Sequence, residues 1–280
     1  MLPRRVDTHS IPCGEWYFAA RPGDGGDVTS EDSAQWIRRF HPVPGARARL
    51  VCLPHAGGAA GFYHPLSGLL APEVEVLAVQ YPGRQERRHE PAAEDIGVLA
   101  DRVTAALGPF TEQPFALFGH SMGAVVAFEV ARRLGADPAA APPLALIASG
   151  RRAPSLTRDE EIHRLDDDGL VAEIESLRGT SPGLLADEEL RRMVLPAVRA
   201  DYRAIESYRC PPDAAPLTVP ITVLVGDSDP RVTVEEAGAW ALHTDAGTDV
   251  HVFPGGDHFY LNEFREAVAE LVRLRLRSAQ

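Results

Sequence analysis

The sequence predicts an α/β fold: a mostly parallel central sheet, helices on both faces, and one helical insertion. Three observations carry this expectation. Six short runs, at 50–54, 74–81, 115–118, 144–149, 221–225 and 250–253, are almost continuously apolar, as parallel strands covered on both faces are. Helical patterns fall between most of them, and such alternation requires crossovers and hence a parallel sheet. One interval, about 155–215, breaks the alternation and carries helical signals alone.

Taken in order, residues 1–33 read as an unstructured extension rich in Gly, Pro, Asp and Ser, clearest at Arg21-Pro22-Gly23-Asp24-Gly25-Gly26-Asp27. Val28 is a candidate alternative translation start, which the mass of the N-terminal peptide would test. Periodic structure begins near Trp36-Ile37-Arg38-Arg39-Phe40, and 34–280 read as one domain. The first strong strand, Leu50-Val51-Cys52-Leu53, encloses a small buried cysteine and leads into the glycine-rich loop Pro54-His55-Ala56-Gly57-Gly58-Ala59-Ala60-Gly61. A helical pattern covers 96–107. The strand at 115–118 runs into Gly119-His120-Ser121-Met122-Gly123, and a helix over 124–134 follows, ending at Gly135. Within the insertion, Thr157-Arg158-Asp159-Glu160 fits a capping box before a helix. Residues 184–208 carry Leu190, Val194, Val198, Tyr202 and Ile205 at helical spacing. An insertion of this size reads as a lid, the plainer reading being a second packing layer. The last strand is followed by a helix over 260–276.

Composition excludes several classes. At 280 residues, 45% apolar and 24% charged, the chain can build a large core without a disulfide or metal staple. Three widely spaced cysteines, Cys13, Cys52 and Cys210, match no disulfide framework or zinc spacing. No signal peptide and no 18-residue apolar stretch is visible, so a soluble cytoplasmic protein is expected. A net charge of −12 argues against nucleic acid, and any acidic partner would have to meet a local basic patch.

The chemistry centres on Ser121. Strand, G-x-S-x-G, helix is the context of a nucleophile elbow, in which side chains at Gly119 or Gly123 would obstruct the turn and the helix N-terminus faces the reacting centre. On such a scaffold the acid and the histidine follow in that order, each from a loop after a strand. Asp229, in Gly226-Asp227-Ser228-Asp229-Pro230-Arg231, is placed to hold a histidine's tautomer, and Asp227 is read as capping the turn. His258, in Pro254-Gly255-Gly256-Asp257-His258-Phe259, is free to reach Ser121, although one loop histidine among ten is otherwise simply solvated. His120 points away from its neighbour and reads as a packing residue. The amides of Met122 and of Ala56 or Gly57 are candidates for an oxyanion hole.

Together, Trp36-Ile37-Arg38-Arg39-Phe40, Pro54-His55-Ala56-Gly57-Gly58, Gln80-Tyr81-Pro82-Gly83-Arg84, Gly119-His120-Ser121-Met122-Gly123 and Pro254-Gly255-Gly256-Asp257-His258-Phe259 resemble the type II thioesterases, the discrete editing enzymes of polyketide and nonribosomal peptide (antibiotic) biosynthesis. The resemblance runs from about residue 34 to the C-terminus. It implies an α/β-hydrolase fold with a helical lid at about 155–215, the triad Ser121, Asp229 and His258, and the oxyanion amides of Ala56 and Met122. The implied substrate is an acyl group on the phosphopantetheine arm of an acyl or peptidyl carrier protein. No cofactor and no metal is implied for the chain itself, since the phosphopantetheine arrives with the partner. Nucleic acid and membrane are not expected partners, and a monomer is expected. Some of Arg84, Arg87, Arg88, Arg151 and Arg152 are expected to meet the carrier's carboxylates or the arm's phosphate, the other reading being a solubilising loop. Rival functions are a general carboxylesterase, a chain-releasing thioesterase or acyltransferase, and a non-catalytic binding module.

Overall fold

A computed structural model describes residues 30–179 and 183–278. Most of the extension read over 1–33, with Val28 and Cys13, therefore lies outside the described residues. Helix α1 (Ser30–Trp36) leads directly into β1 (Ile37–Arg38), a two-residue strand that the sequence pattern did not reveal. The remaining strands are β2 (Ala48–Leu53), β3 (Val74–Val79), β4 (Phe115–His120), β5 (Leu146–Ser149), β6 (Ile221–Gly226) and β7 (Thr248–Phe253). They form one sheet in the order β1-β3-β2-β4-β5-β6-β7, parallel throughout except for the β1–β3 pair.

The inner strands β2 to β6 are largely apolar because each feeds two cores. Along β2, Val51 and Leu53 join one cluster while Leu50 and Cys52 join the other, the period of two expected of a strand. The first cluster lies under α3 (Ile96–Leu107) and α4 (Met122–Ala136), the second under α2 (His64–Leu70) and α8 (Arg265–Ser278). Edge strand β7 departs from the pattern, since Val250 and Val252 are 39% and 41% exposed. Cys52 and Cys210 are both free thiols, Cys52 buried in the second core.

The interval 155–215 is helical, with boundaries other than those expected. Thr157 caps no helix among the described residues: Glu160 is engaged by Arg152 and the segment stays irregular. Helix α5 (Asp167–Ser176) starts later, capped by Asp166 through the Gly169 N–H (2.8 Å), with Asp167 and Asp168 in its first turn. Helix α6 (Glu188–Ser207) is capped in the same way by Asp187. The two helices share a small core of their own that includes Leu170, Val171, Leu195 and Val198. A genuine capping box is found at Thr233 and Glu236, opening α7 (Val234–Gly238). The last helical pattern divides, a 3₁₀ turn over Tyr260–Asn262 preceding α8. No helix among the described residues is long and apolar enough to cross a membrane.

Candidate active site

The sheet order reverses between β2 and β4, and the loops after these strands form the crevice at their carboxyl ends. Ser121 stands there with φ +54° and ψ −119°, a backbone state that L-residues rarely adopt. Its N–H is held by the Ser149 carbonyl at 2.8 Å, which ties the elbow to the end of β5.

The histidine and the acid arrive on laced loops. Asp227 N–H donates to the Phe253 carbonyl (3.2 Å) and Ser228 N–H to the Gly256 carbonyl (3.0 Å). The Asp227 carboxylate accepts the Gly255 N–H at 2.7 Å, so it ties the two loops together, where the sequence reads it as capping its own turn. His258 Nε2 lies 3.0 Å from Ser121 Oγ, and its Nδ1 lies 2.9 and 3.0 Å from the two Asp229 oxygens. Asp229 also accepts the Arg231 N–H at 2.8 Å, so its carboxylate is aimed from two sides. With Asp229 on Nδ1, the proton belongs there and Nε2 is left as the acceptor facing Ser121.

The amides sort themselves similarly. Met122 is the first residue of α4, so the helix makes no use of its N–H. The Gly57 N–H donates to the Asp201 carboxylate at 2.7 Å, whereas the Ala56 N–H finds no acceptor among the described residues. Of the two amides left open by the sequence, Ala56 is the available one.

Beneath His258 lies an aromatic cluster containing two further histidines. His120 is fully buried, its Nδ1 2.9 Å from Ser149 Oγ, which in turn lies 2.6 Å from the Tyr260 hydroxyl. His55 packs edge-on against Phe62 and Phe259. Burial, aided by the charges of His258 and Arg84, pushes His55 down to about 3. Burial, with His258 and His55 adding to it, holds His120 well below the usual histidine range. Both are therefore neutral in the fold but protonate in the unfolded chain near pH ~6.5. Below that pH the unfolded chain binds more protons, so the contribution of these two histidines is constant above about 6.5 and falls by up to about 1.4 kcal/mol per pH unit per histidine beneath it. Urea unfolding at about pH 7.5 and about pH 5 should show the loss, and His120→Asn should make it shallower. Equal slopes for the two proteins would remove His120 from the account.

An apolar cavity of about 180 Å³ opens beside this site, between His55, Ala56 and Phe259 on one side and Ile174, Leu190 and Val194 of the insertion on the other. Of the five arginines, some of which are expected to meet a partner, three are buried, Arg151 is half-buried and Arg88 is exposed. Arg84 is buried against Asp201; Arg87 is buried against Glu90 and lies over the Trp36 ring at 4.3 Å; Arg152 is buried against Glu160. Their long stems and planar heads pack inside, and only Arg88 of the 84–88 loop is an exposed arginine. Among the described residues no cluster of three or more His, Cys, Asp or Glu is placed to hold a metal ion.

A parallel sheet with a serine raised on the elbow at its reversal point is the architecture of the α/β hydrolases. The chain belongs to the thioesterase family, whose domain model matches residues 48–276. It is 54% identical over 242 residues to a probable cadicidin biosynthesis thioesterase of Streptomyces griseus, covering 86% of this chain and 66% of that protein. It is 50% identical over 233 residues to thioesterase PikA5 of Streptomyces venezuelae, covering 83% and 82%. Among solved structures it is similar to the type II thioesterase BorB from the borrelidin biosynthetic cluster. That match has a TM-score of 0.79 and 49% identity, covering 86% of this chain and 97% of that one.

Proposed function

We propose that this protein hydrolyses acyl thioesters on the phosphopantetheine arm of acyl or peptidyl carrier proteins, clearing stalled or aberrant chains from a polyketide or nonribosomal peptide synthase. The observation that carries the reading is the unbroken hydrogen-bonded line from Ser121 Oγ through His258 to Asp229, set beside an apolar cavity. The named biosynthetic relatives support the substrate class.

In this reading His258 Nε2 takes the Ser121 proton as Oγ attacks the thioester carbonyl carbon. The negative charge that develops on the carbonyl oxygen rests on the Ala56 and Met122 amides. The C–S bond then breaks, and His258 returns its proton to the departing thiolate. Water, deprotonated by the same nitrogen, attacks the acyl-serine, and Ser121 leaves with that proton. Asp229 holds Nδ1–H throughout and stabilises the transient imidazolium. The chemistry needs no cofactor resident in the chain. The protein would act as a cytoplasmic monomer, its partner contact made transiently at the cavity mouth.

The test compares turnover of a butyryl-carrier thioester with that of p-nitrophenyl butyrate. Preference for the carrier thioester is expected, and strong preference for the free ester would overturn the reading. The cavity adds a further expected result. None of its described lining residues is a cation, so an acyl carboxylate would enter unpaired. Malonyl-carrier should therefore be cleaved at least about 100-fold more slowly than butyryl-carrier, since an unpaired buried charge costs several kcal/mol. Equal rates would show that the acyl chain lies elsewhere.

A further inference from the structure

The loop after β2 is held from the insertion. Asp201, on α6, has a carboxylate with no exposed surface that serves two groups at once. Its Oδ2 accepts the Gly57 N–H at 2.7 Å and Arg84 Nη1 at 2.7 Å, and its Oδ1 accepts Arg84 Nη2 at 2.9 Å. Arg84 in turn donates to the carbonyls of Gly58 (3.0 Å) and Pro82 (3.2 Å). The fit extends to packing. Gly57 has φ +75°, and a Cβ there would meet the Val198 side chain at 2.8 Å, one helical turn before Asp201. Thus α6 lies directly on the 55–58 turn.

A buried ion pair is weak evidence of stability, because desolvation offsets most of the attraction. A bidentate guanidinium–carboxylate pair does fix geometry, however. Here it fixes the peptide next to Ala56. With the Gly57 N–H turned to Asp201, the turn has one register, and in it the Ala56 amide is left without an acceptor among the described residues.

We propose that Asp201 is a positioning residue for the oxyanion hole: from the helical insertion it locks the 55–58 turn so that the Ala56 N–H is preset for the oxyanion, and Arg84 holds its carboxylate in place. The inference rests on the assignment of Ser121 as nucleophile. It also makes covering the cavity and completing the oxyanion hole a single event. If α6 swung away it would carry Asp201 with it and free the loop.

The test uses Asp201→Ala, Asp201→Asn and Arg84→Lys, with active sites counted by fluorophosphonate titration. Rates are taken on both a butyryl thioester and p-nitrophenyl butyrate, and affinity is measured for an alkyl trifluoromethyl ketone. Its adduct with Ser121 places an oxyanion on the same amides. Asp201→Ala should lower kcat per titrated site by about 10²-fold and weaken the ketone by a matching factor, the size of losing one oxyanion donor. KM should change by no more than about threefold, since the interaction is made in the transition state. Asp201→Asn, which keeps an acceptor for Gly57, and Arg84→Lys should fall in between. A merely structural role would reduce the count of titratable sites and leave kcat and ketone affinity per site unchanged, overturning the proposal. If the alanine variant does not fold, the other two read the same quantities. Failure of the thioesterase reading is separable: the wild type would then spare the thioester, while ketone affinity and ester turnover still report on the clamp.

Discussion

Ser121→Ala is expected to lower turnover of an acyl-carrier thioester by about 10⁴- to 10⁶-fold, with fluorophosphonate labelling abolished. The size follows from what the serine does. Without Oγ, water must attack the thioester directly, and only binding and the oxyanion amides still favour the transition state. His258→Ala should cost about as much, because Oγ 3.0 Å from Nε2 is a poor nucleophile once the base is gone. The double variant should be no worse than either single one, since groups that act as a unit are lost as a unit. Asp229→Asn should cost about 10⁴-fold by a different route, since its amide no longer holds the imidazole in the tautomer that leaves Nε2 free. Single-turnover rates on the four variants would check the pattern. Additive losses, or a Ser121→Ala variant within tenfold of wild type, would place the chemistry elsewhere.

The contrast between Asp229 and Asp201 shows what a sequence can disclose. Ser121, Asp229 and His258 each sit just past an apolar run, in a short loop whose position is set by the strand before it. Local pattern therefore sufficed, and so did the parallel sheet, because buried strands are apolar throughout. Asp201 meets Gly57 and Arg84 across 144 and 117 residues of chain, and no local pattern spans that distance. A signal was nevertheless present. Asp201 lies on the stripe formed by Val194, Val198, Tyr202 and Ile205, where an acid must find a partner or leave the core. The same physics explains the arginines. Arg84 and Arg87 lie in a polar stretch that reads as solvated, and only tertiary contact turns their heads inward. The Thr157 capping box failed because Glu160 has a better partner in Arg152 than in the backbone behind it. Two-residue β1 is too short for periodicity to register.

Gly123→Ala is expected to destabilise the protein by about 4 kcal/mol or more and to remove labelling of Ser121. The reason is space, since neither Gly119 nor Gly123 takes a positive φ. A Cβ at Gly123 would lie 2.0 Å from the Leu53 carbonyl oxygen, and one at Gly119 would lie 2.1 Å from the Gly123 carbonyl oxygen. Both neighbours are backbone, fixed by β2 and by the first turn of α4, so no flexible side chain can yield. The elbow would have to open, moving Ser121 away from His258 and β4 away from β2. Helix propensity alone predicts the opposite sign, because alanine in a helix is favoured over glycine by about 1 kcal/mol. Gly135, on the last turn of the same α4, separates the two effects. A Cβ there meets nothing within 4 Å among the described residues, so Gly135→Ala should stabilise by up to about 1 kcal/mol and leave turnover unchanged. Urea unfolding of the two variants gives opposite signs if the close approach at Gly123 governs the elbow. A neutral or stabilising Gly123→Ala would mean that α4 and β2 can separate without disturbing Ser121.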